Sequence, residues 1–235
     1  KEYEPGFTVA EFLAQETLYT AHRGMGDSYP EQSMAGYDAA IAAGVKSLEA
    51  SLHYTADGVF VLSHDANGNR VFGEGTTAIS SLNWTGNVEN WESATGPILR
   101  LEDLLDKYGN YVIFLDDKTN AHKTELLALV NSYDSPTAHF VWKGFRGWSP
   151  AANTWTAAGY ETWGIYYDNE VVTGPNFEHF SLLGLNYNAT QAQWDILTGT
   201  GKRTIAHVIY ADADRIEGAS KGATGFMISN ITALP

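Results

Sequence analysis

Apolar and polar positions switch between two periods along this chain, and the switches mark its elements. Leu18 to Gly24 (LYTAHRG) reads as a first strand. After a turn ending in Pro30, MAGYDAAIAAG reads as a helix capped by Ser33 and stopped at Gly44, a residue suited to the position after a helix. VKSLEASLHYT follows as a second strand, ADG as a turn and VFVLSH as a short third strand. Ahead of them, TVAEFLAQE predicts a short helix capped by Thr8. RLEDLLDKYG carries Leu101, Leu104, Leu105 and Tyr108 at helical spacing, and YVIFLDDK is an apolar strand ending in carboxylates. From there helix and strand alternate: HKTELLALVNSY and AHFVWKGF, SPAANTWTAAG and YETWGIYY, the helix-like link NFEHF before LLGLNY, TQAQWDILTG and RTIAHVIY, DADRIEGASKG and GFMISN.

The main strands thus centre near residues 20, 48, 113, 140, 163, 184, 206 and 227, joined by short helical connections. Such alternation implies a parallel sheet, and eight units in this length predict an α/β fold of the TIM (β/α)8 barrel type. A doubly wound sheet is the alternative, but no Gly-rich phosphate fingerprint follows any strand. Residues 66–99 are rich in Gly, Asn, Ser and Thr and read as a small insertion after the second strand; residues 1–235 otherwise read as one domain.

In such a barrel, chemistry sits at the C-terminal strand ends. Those ends supply His22 and Arg23, then Glu49, Ser51 and His53, then Asp116 and Lys118, and later Lys143, Tyr166, Asn186, His207 and Ser229. Period two puts Glu49, Ser51 and His53 on one face of their strand, and sets Asp116 and Lys118 opposite Asp117. Glu49 and Asp116 can therefore converge on a hard cation, Mg²⁺ or Ca²⁺, with His22 and His64 as general acid and base beside it. Taken singly, each residue also has a structural reading: a hydrogen-bonded core histidine, a plain salt bridge. Residue type leaves Lys143, Arg146 and His207 open between pocket and structural roles. Trp142, Trp163 and Tyr166 read as packing, and His122, His139 and His179 as structural.

Charge narrows the partners. With 28 acidic against 14 basic residues the net charge is −14, which argues against a nucleic-acid or membrane-surface binder. An anionic substrate then needs a local positive pocket or a metal. No cysteine is present, and no run approaches the roughly 18 apolar residues of a membrane span. The start resembles no signal peptide and Lys1 is not an initiator Met, so the chain is expected to be a processed form or a domain cut from a longer protein. The 7 Trp, 13 Tyr and 10 Phe suit an extracellular or virion-surface setting.

Jointly, the motifs resemble the glycerophosphodiester phosphodiesterase family, whose leading pattern runs HRG, PEN, E-x-D, T-x-DG, HD. Here it stands as His22-Arg23-Gly24, Pro30-Glu31-Gln32, Glu49-Ala50-Ser51, Thr55-Ala56-Asp57-Gly58 and His64-Asp65. Pro97 to Leu105 (PILRLEDLL) resembles the family's next helix entry, Asp116-Asp117-Lys118 its E-x-K strand, and GATGFMISN a degenerate closing motif. The resemblance implies a TIM barrel, His22 and His64 as the acid/base pair, Arg23 and Lys118 on phosphate oxygens, and a divalent metal on Glu49 and Asp116. Lys143 joins the phosphate contacts as a candidate, and Ser51 the metal ligands. Ser51 replaces the second acidic ligand of the pattern, which would leave the shell short unless Asp65, His53 or water completes it. Asp116 replaces Glu, and His207 lies where the family commonly has Trp.

The implied chemistry is metal-assisted hydrolysis of a phosphodiester bearing a neighbouring hydroxyl, in a small molecule or a teichoic-acid-like wall polymer. Ser51 in that motif also resembles glycerophosphodiesterase-like domains in minor tail proteins of phages infecting actinobacteria, which implies other tail proteins as partners. The alternative function is a tail or cell-surface module that binds a glycerophosphate or glycan without turnover. A lyase of the sphingomyelinase D type ranks last, since that group carries disulfides and an intact metal triad.

Overall fold

A computed structural model of the chain describes residues 6–94, 96–173 and 176–235. In chain order its main elements are α1 (Val9–Leu13), β1 (Leu18–Ala21), α2 (Met34–Ala42), β2 (Ser47–Tyr54), β3 (Phe60–Leu62), α3 (Asn69–Phe72), β4 (Glu92–Ser93), β5 (Gly96–Pro97) and α4 (Leu101–Tyr108). There follow β6 (Val112–Asp117), α5 (Lys123–Val130), β7 (Phe140–Phe145), α6 (Ser149–Ala157), β8 (Glu161–Ile165), β9 (Leu182–Asn186), α7 (Gln191–Thr198), β10 (Arg203–Ile209), α8 (Asp212–Ser220) and β11 (Gly225–Ile228).

Eight strands pair in parallel in the order β1-β2-β6-β7-β8-β9-β10-β11, and β11 returns to β1 through Leu18↔Gly225 to Ala21↔Ile228. The closed parallel barrel with surrounding helices is a TIM barrel, as the alternation of elements predicts. The short strand after the second one, β3, is not a barrel stave. It turns back antiparallel on β2, with Leu52 opposite Leu62.

Strand alternation divides the apolar residues into two layers. Leu48, Ala50, Leu52, Ile113, Leu115, Phe140 and Trp142 belong to the buried layer that includes residues of α2, α4, α5 and α6. Val112, Phe114, Val141, Trp163, Leu182, Ile205 and Met227 fill the barrel itself, where α1 adds Val9 and Phe12. Phe12 meets Phe114 edge-on at 5.8 Å between ring centroids, and Phe114 meets Trp163 at 5.2 Å. Gly184 makes space for Trp163, since a Cβ there would lie 2.5 Å from the indole nitrogen. The barrel is thus packed mainly with hydrocarbon up to Trp163, with the hydrogen-bonded hydroxyls of Thr20 and Ser47 (2.7 Å) buried in it, and the charged groups lie toward the rim.

Residues 66–99 hold α3, three-residue 3-10 turns and the β4–β5 hairpin. Their Ile79, Val88, Trp91 and Ile98 pack with Val61 of β3 into a small separate cluster, so this polar-looking stretch carries enough apolar residues to be ordered. Among the described residues no helix is long and apolar enough to cross a membrane.

Candidate active site

Several strands carry polar side chains on their inward faces near their C-terminal ends, and register sets their levels. Ser51 pairs with Asp116, Asp116 with Lys143 and Lys143 with Trp163, so four adjacent strands present these residues side by side. Glu49 lies two residues below Ser51 on the same face. Glu49 and Asp116 are each 1% exposed and Lys143 4%.

At the end of β1 the chain makes a tight turn, with Arg23, Gly24 and Met25 at φ of 51°, 71° and 63°. Gly24 and Gly36 allow α2 to approach: a Cβ on Gly36 would meet the Gly24 carbonyl oxygen at 2.7 Å. The turn aims the Arg23 backbone N–H at Glu49 Oε2, 2.9 Å away, and swings the guanidinium to Glu31 at 3.1 Å. Gln32 holds the turn in place. Its backbone N–H donates to the Arg23 carbonyl (2.9 Å), and its side-chain oxygen accepts from Tyr37 (2.6 Å), whose hydroxyl also reaches the Glu49 carbonyl.

The two histidines have separate supports. His22 Nδ1 is hydrogen-bonded to Ser229 Oγ at 3.2 Å, across the β1–β11 seam that closes the barrel. His64 Nδ1 is hydrogen-bonded to Asp65 Oδ1 at 2.8 Å, and Arg70 of α3 grips Asp65 Oδ2 at 2.6 Å and Glu31 at 2.6 Å. Among the described residues neither Nε2 has a protein partner. Burial, and then Arg23 and Lys143, push His22 well below its ordinary 6.5. His64 is lowered by burial and by Lys118, against the opposing pull of Asp65.

Both histidines line one cavity of about 90 Å³ with Arg23, Lys118, Lys143 and His207. A second hollow of about 200 Å³ adjoins it, sharing His22 and Arg23 and reaching Arg70 and Tyr210. A cleft of about 230 Å³ lined by Phe7, Phe12, Tyr19 and Lys46 contains none of these groups.

The expected metal ligands do converge, but around an ammonium. Lys143 Nζ lies 2.5 Å from Glu49 Oε1 and 3.1 Å from Asp116 Oδ2, and Lys118 Nζ lies 3.2 Å from that same Asp116 oxygen. Ser51 Oγ sits 3.4 Å from each carboxylate. Burial alone would raise the Glu49 carboxyl; Lys143, then Arg23, outweigh it and hold the group at about 2. Burial pulls Lys143 down, but Asp116 and Glu49 more than reverse this. The residues that were to complete a metal shell are committed elsewhere: Asp65 to His64 and Arg70, and His53 Nε2 to the His64 carbonyl at 3.4 Å. Among the described residues no group of three or more His, Asp or Glu side chains is arranged to hold a metal. The donor set Glu49, Asp116 and Ser51 therefore does not fit a divalent ion, because Lys143 fills the space between the carboxylates. Lys143 is at the same time an ion-paired group on the floor of the cavity.

Tyr167, half exposed, lines the cavity, whereas Tyr166 is buried in the outer layer; period two from Trp163 through Ile165 points to Tyr167. Arg146 pairs with Glu170 at 3.0 Å, away from the cavity. Asp117, on the opposite face from Asp116, accepts from the backbone N–H groups of Thr119 and Asn120. His122 stacks on Tyr54, His139 reaches the Phe7 carbonyl and His179 reaches Asn153. The Glu31–Arg70 clamp is not visible from the motifs, since Arg70 lies in the insertion.

A parallel barrel with paired histidines and a cationic rim suits acid/base chemistry on an anionic ester. The model of the glycerophosphoryl diester phosphodiesterase family matches residues 22–135, just under half of the chain, and that segment, which contains both histidines, Arg23, Glu49, Asp116 and Lys118, is similar to this family. None of the curated proteins matches the sequence. Similar solved structures include a phosphodiesterase of Oleispira antarctica in complex with the product sn-glycerol-3-phosphate, at 16% identity and TM-score 0.79, covering 95% of this chain and 96% of that one. Another is a putative glycerophosphoryl diester phosphodiesterase of Silicibacter pomeroyi, at 18% identity and TM-score 0.76, covering 97% and 96%. A third is the glycerophosphodiester phosphodiesterase of Thermotoga maritima, at 16% identity and TM-score 0.77, covering 93% and 96%. These likenesses establish the fold. That family's members generally depend on a divalent metal; here a lysine stands between Glu49 and Asp116.

Proposed function

We propose that the site cleaves glycerophosphodiesters, with His22 and His64 as base and acid. The observation that carries this reading is the pair of imidazoles on one cationic cavity, each anchored through Nδ1 and each with Nε2 unengaged by protein. His22, held neutral by its surroundings, takes the proton from the hydroxyl next to the ester as that oxygen attacks phosphorus. The bond to the leaving alcohol breaks, and that oxygen receives a proton from His64, whose imidazolium Asp65 supports. The product is a cyclic phosphodiester plus the free alcohol. Water then opens the ring with the two histidines in exchanged roles, giving a phosphomonoester. Arg23 and Lys118 offset the charge that grows on the phosphoryl oxygens. A divalent metal, were one to bind, would supply further charge there, but the donor set does not favour it.

His207 supports a glycerol-type group. Its Nε2 is buried without a protein partner, and burial, then Lys143, lowers it to about 4. A neutral imidazole presents an acceptor to a substrate hydroxyl. The adjoining hollow beside His22 and Arg70 is suited to a longer leaving group, so wall polymers of the teichoic-acid type are proposed beside small diesters. The proposed setting is outside the cell or on a virion, with phage tail proteins as partners; the aromatic-rich, cysteine-free composition is consistent with it.

The test is steady-state cleavage of glycerophosphocholine and of a glycerophosphate polymer. His22→Ala and His64→Ala should each lower kcat/KM by about 10²–10⁴-fold. Unchanged kcat/KM in either variant overturns the two-histidine mechanism. Polymer binding without turnover by the unaltered protein would make this a binding module instead.

A further inference from the structure

The floor of the cavity carries its own cation. Lys143 Nζ contacts Glu49 at 2.5 Å and Asp116 at 3.1 Å, is almost wholly buried, and lies 5.3 Å from the centroid of the Trp163 ring. With Lys118 on the same Asp116 oxygen, two ammonium groups already balance two carboxylates. An ion entering between Glu49 and Asp116 would face an ammonium at contact distance. The third inward position at this level holds a hydroxyl, Ser51, rather than an acid. These features agree with one another: an acid at position 51 would leave the group with excess negative charge, and a serine leaves it neutral around the lysine. Lys143 also lines the cavity, so its remaining N–H is within reach of a phosphoryl oxygen.

We propose that Lys143 is the resident cation of this site, taking the place of the divalent metal, and that the chain cleaves its phosphodiester without one. This rests on the reading of the site as a phosphodiesterase. The ammonium stays protonated throughout and donates to a non-bridging phosphoryl oxygen as charge accumulates there. The bonds made and broken, and the protons moved by His22 and His64, are those already given. Glu49 and Asp116 hold the ammonium in position and keep it charged.

The experiment compares the intact protein in EDTA with the same protein in millimolar Mg²⁺ or Ca²⁺, using glycerophosphocholine. Metal binding is followed separately by calorimetry with Ca²⁺ and by Tb³⁺ luminescence sensitised through Trp163. Activity should be the same with chelator and with metal, and neither ion should bind at the barrel rim. Lys143→Ser should lose at least roughly 100-fold in kcat/KM in EDTA, and Mg²⁺ or Ca²⁺ should restore part of that loss by entering the vacated space. Ser51→Asp/Lys143→Ser should bind Tb³⁺ with sensitised emission. Loss of wild-type activity in EDTA with recovery on metal overturns the proposal, as does stoichiometric Ca²⁺ binding that Glu49→Gln abolishes. So does a folded Lys143→Ser variant that keeps full activity in EDTA, or one that metal does not rescue. If Lys143→Ser does not fold, the chelator and wild-type binding measurements decide alone. If glycerophosphocholine is not turned over at all, the functional reading fails, and metal binding still decides the assignment of Lys143.

Discussion

Replacing Lys143 by Met keeps the length of the side chain and removes its charge, leaving Glu49 and Asp116 buried together with only Lys118 beside Asp116. Breaking a buried ion pair from one side costs about 3–5 kcal/mol, because the charge left behind is neither solvated nor paired. For a chain of this size each kcal/mol moves Tm by about 2–4 °C, so the variant should melt roughly 6–20 °C lower at neutral pH. The sign of the pH dependence is the stronger test. In the unaltered protein Glu49 is held at about 2, below its ordinary 4.5, so its contribution is present above 4.5 and is lost as pH falls toward 2. Without Lys143, burial raises Glu49 instead, and protonation relieves its repulsion with the neighbouring carboxylate. The gap between the two proteins should therefore be widest near neutrality and narrow as pH falls through the carboxylate range. Urea unfolding followed by tryptophan fluorescence at neutral and at mildly acidic pH measures both. A loss under about 1 kcal/mol at neutral pH, the size expected of a surface pair, or a gap that does not change with pH, would refute the buried ammonium.

Both histidines are held below 6.5, so the bell of kcat/KM against pH should lie on the acid side of that value, and the bell of kcat should shift upward when an anionic diester binds. Asp65→Asn removes the partner that supports the His64 imidazolium; the alkaline limb should move to lower pH while the acid limb stays, and a shift of the acid limb instead would exchange the two roles. Arg70→Ala frees Glu31 and Asp65 together, and through them Arg23 and His64. The half-exposed Arg70 should cost less than about 1 kcal/mol of stability but lower kcat/KM by about tenfold through lost positioning; a variant with unchanged kcat/KM would make the clamp purely structural.

Much of this was legible in the sequence because two simple periodicities operate over long stretches. The eight strands and the helices between them follow from apolar spacing, and the inward placement of Glu49, Ser51 and Asp116 follows from period two. Three features were not legible. Lys143 stands at a strand end like any phosphate-binding lysine, and only the register of β2, β6 and β7 shows that it meets Glu49 and Asp116 before it meets substrate. Arg70 lies in a stretch whose composition suggests loop, and its link to Glu31 joins residues 39 positions apart. Tyr166 and Tyr167 are adjacent and alike, so the choice between them depends on where the strand's alternation is counted from.

Phosphorus NMR of glycerophosphocholine incubated with the protein follows the proposed chemistry atom by atom. The diester resonance should give way first to that of a cyclic phosphodiester and then to that of a phosphomonoester, and both products should form about 10²–10⁴-fold more slowly with His22→Ala. A diester signal that persists with the unaltered protein, or the same products at the same rate from His22→Ala, would contradict cleavage by the His22–His64 pair.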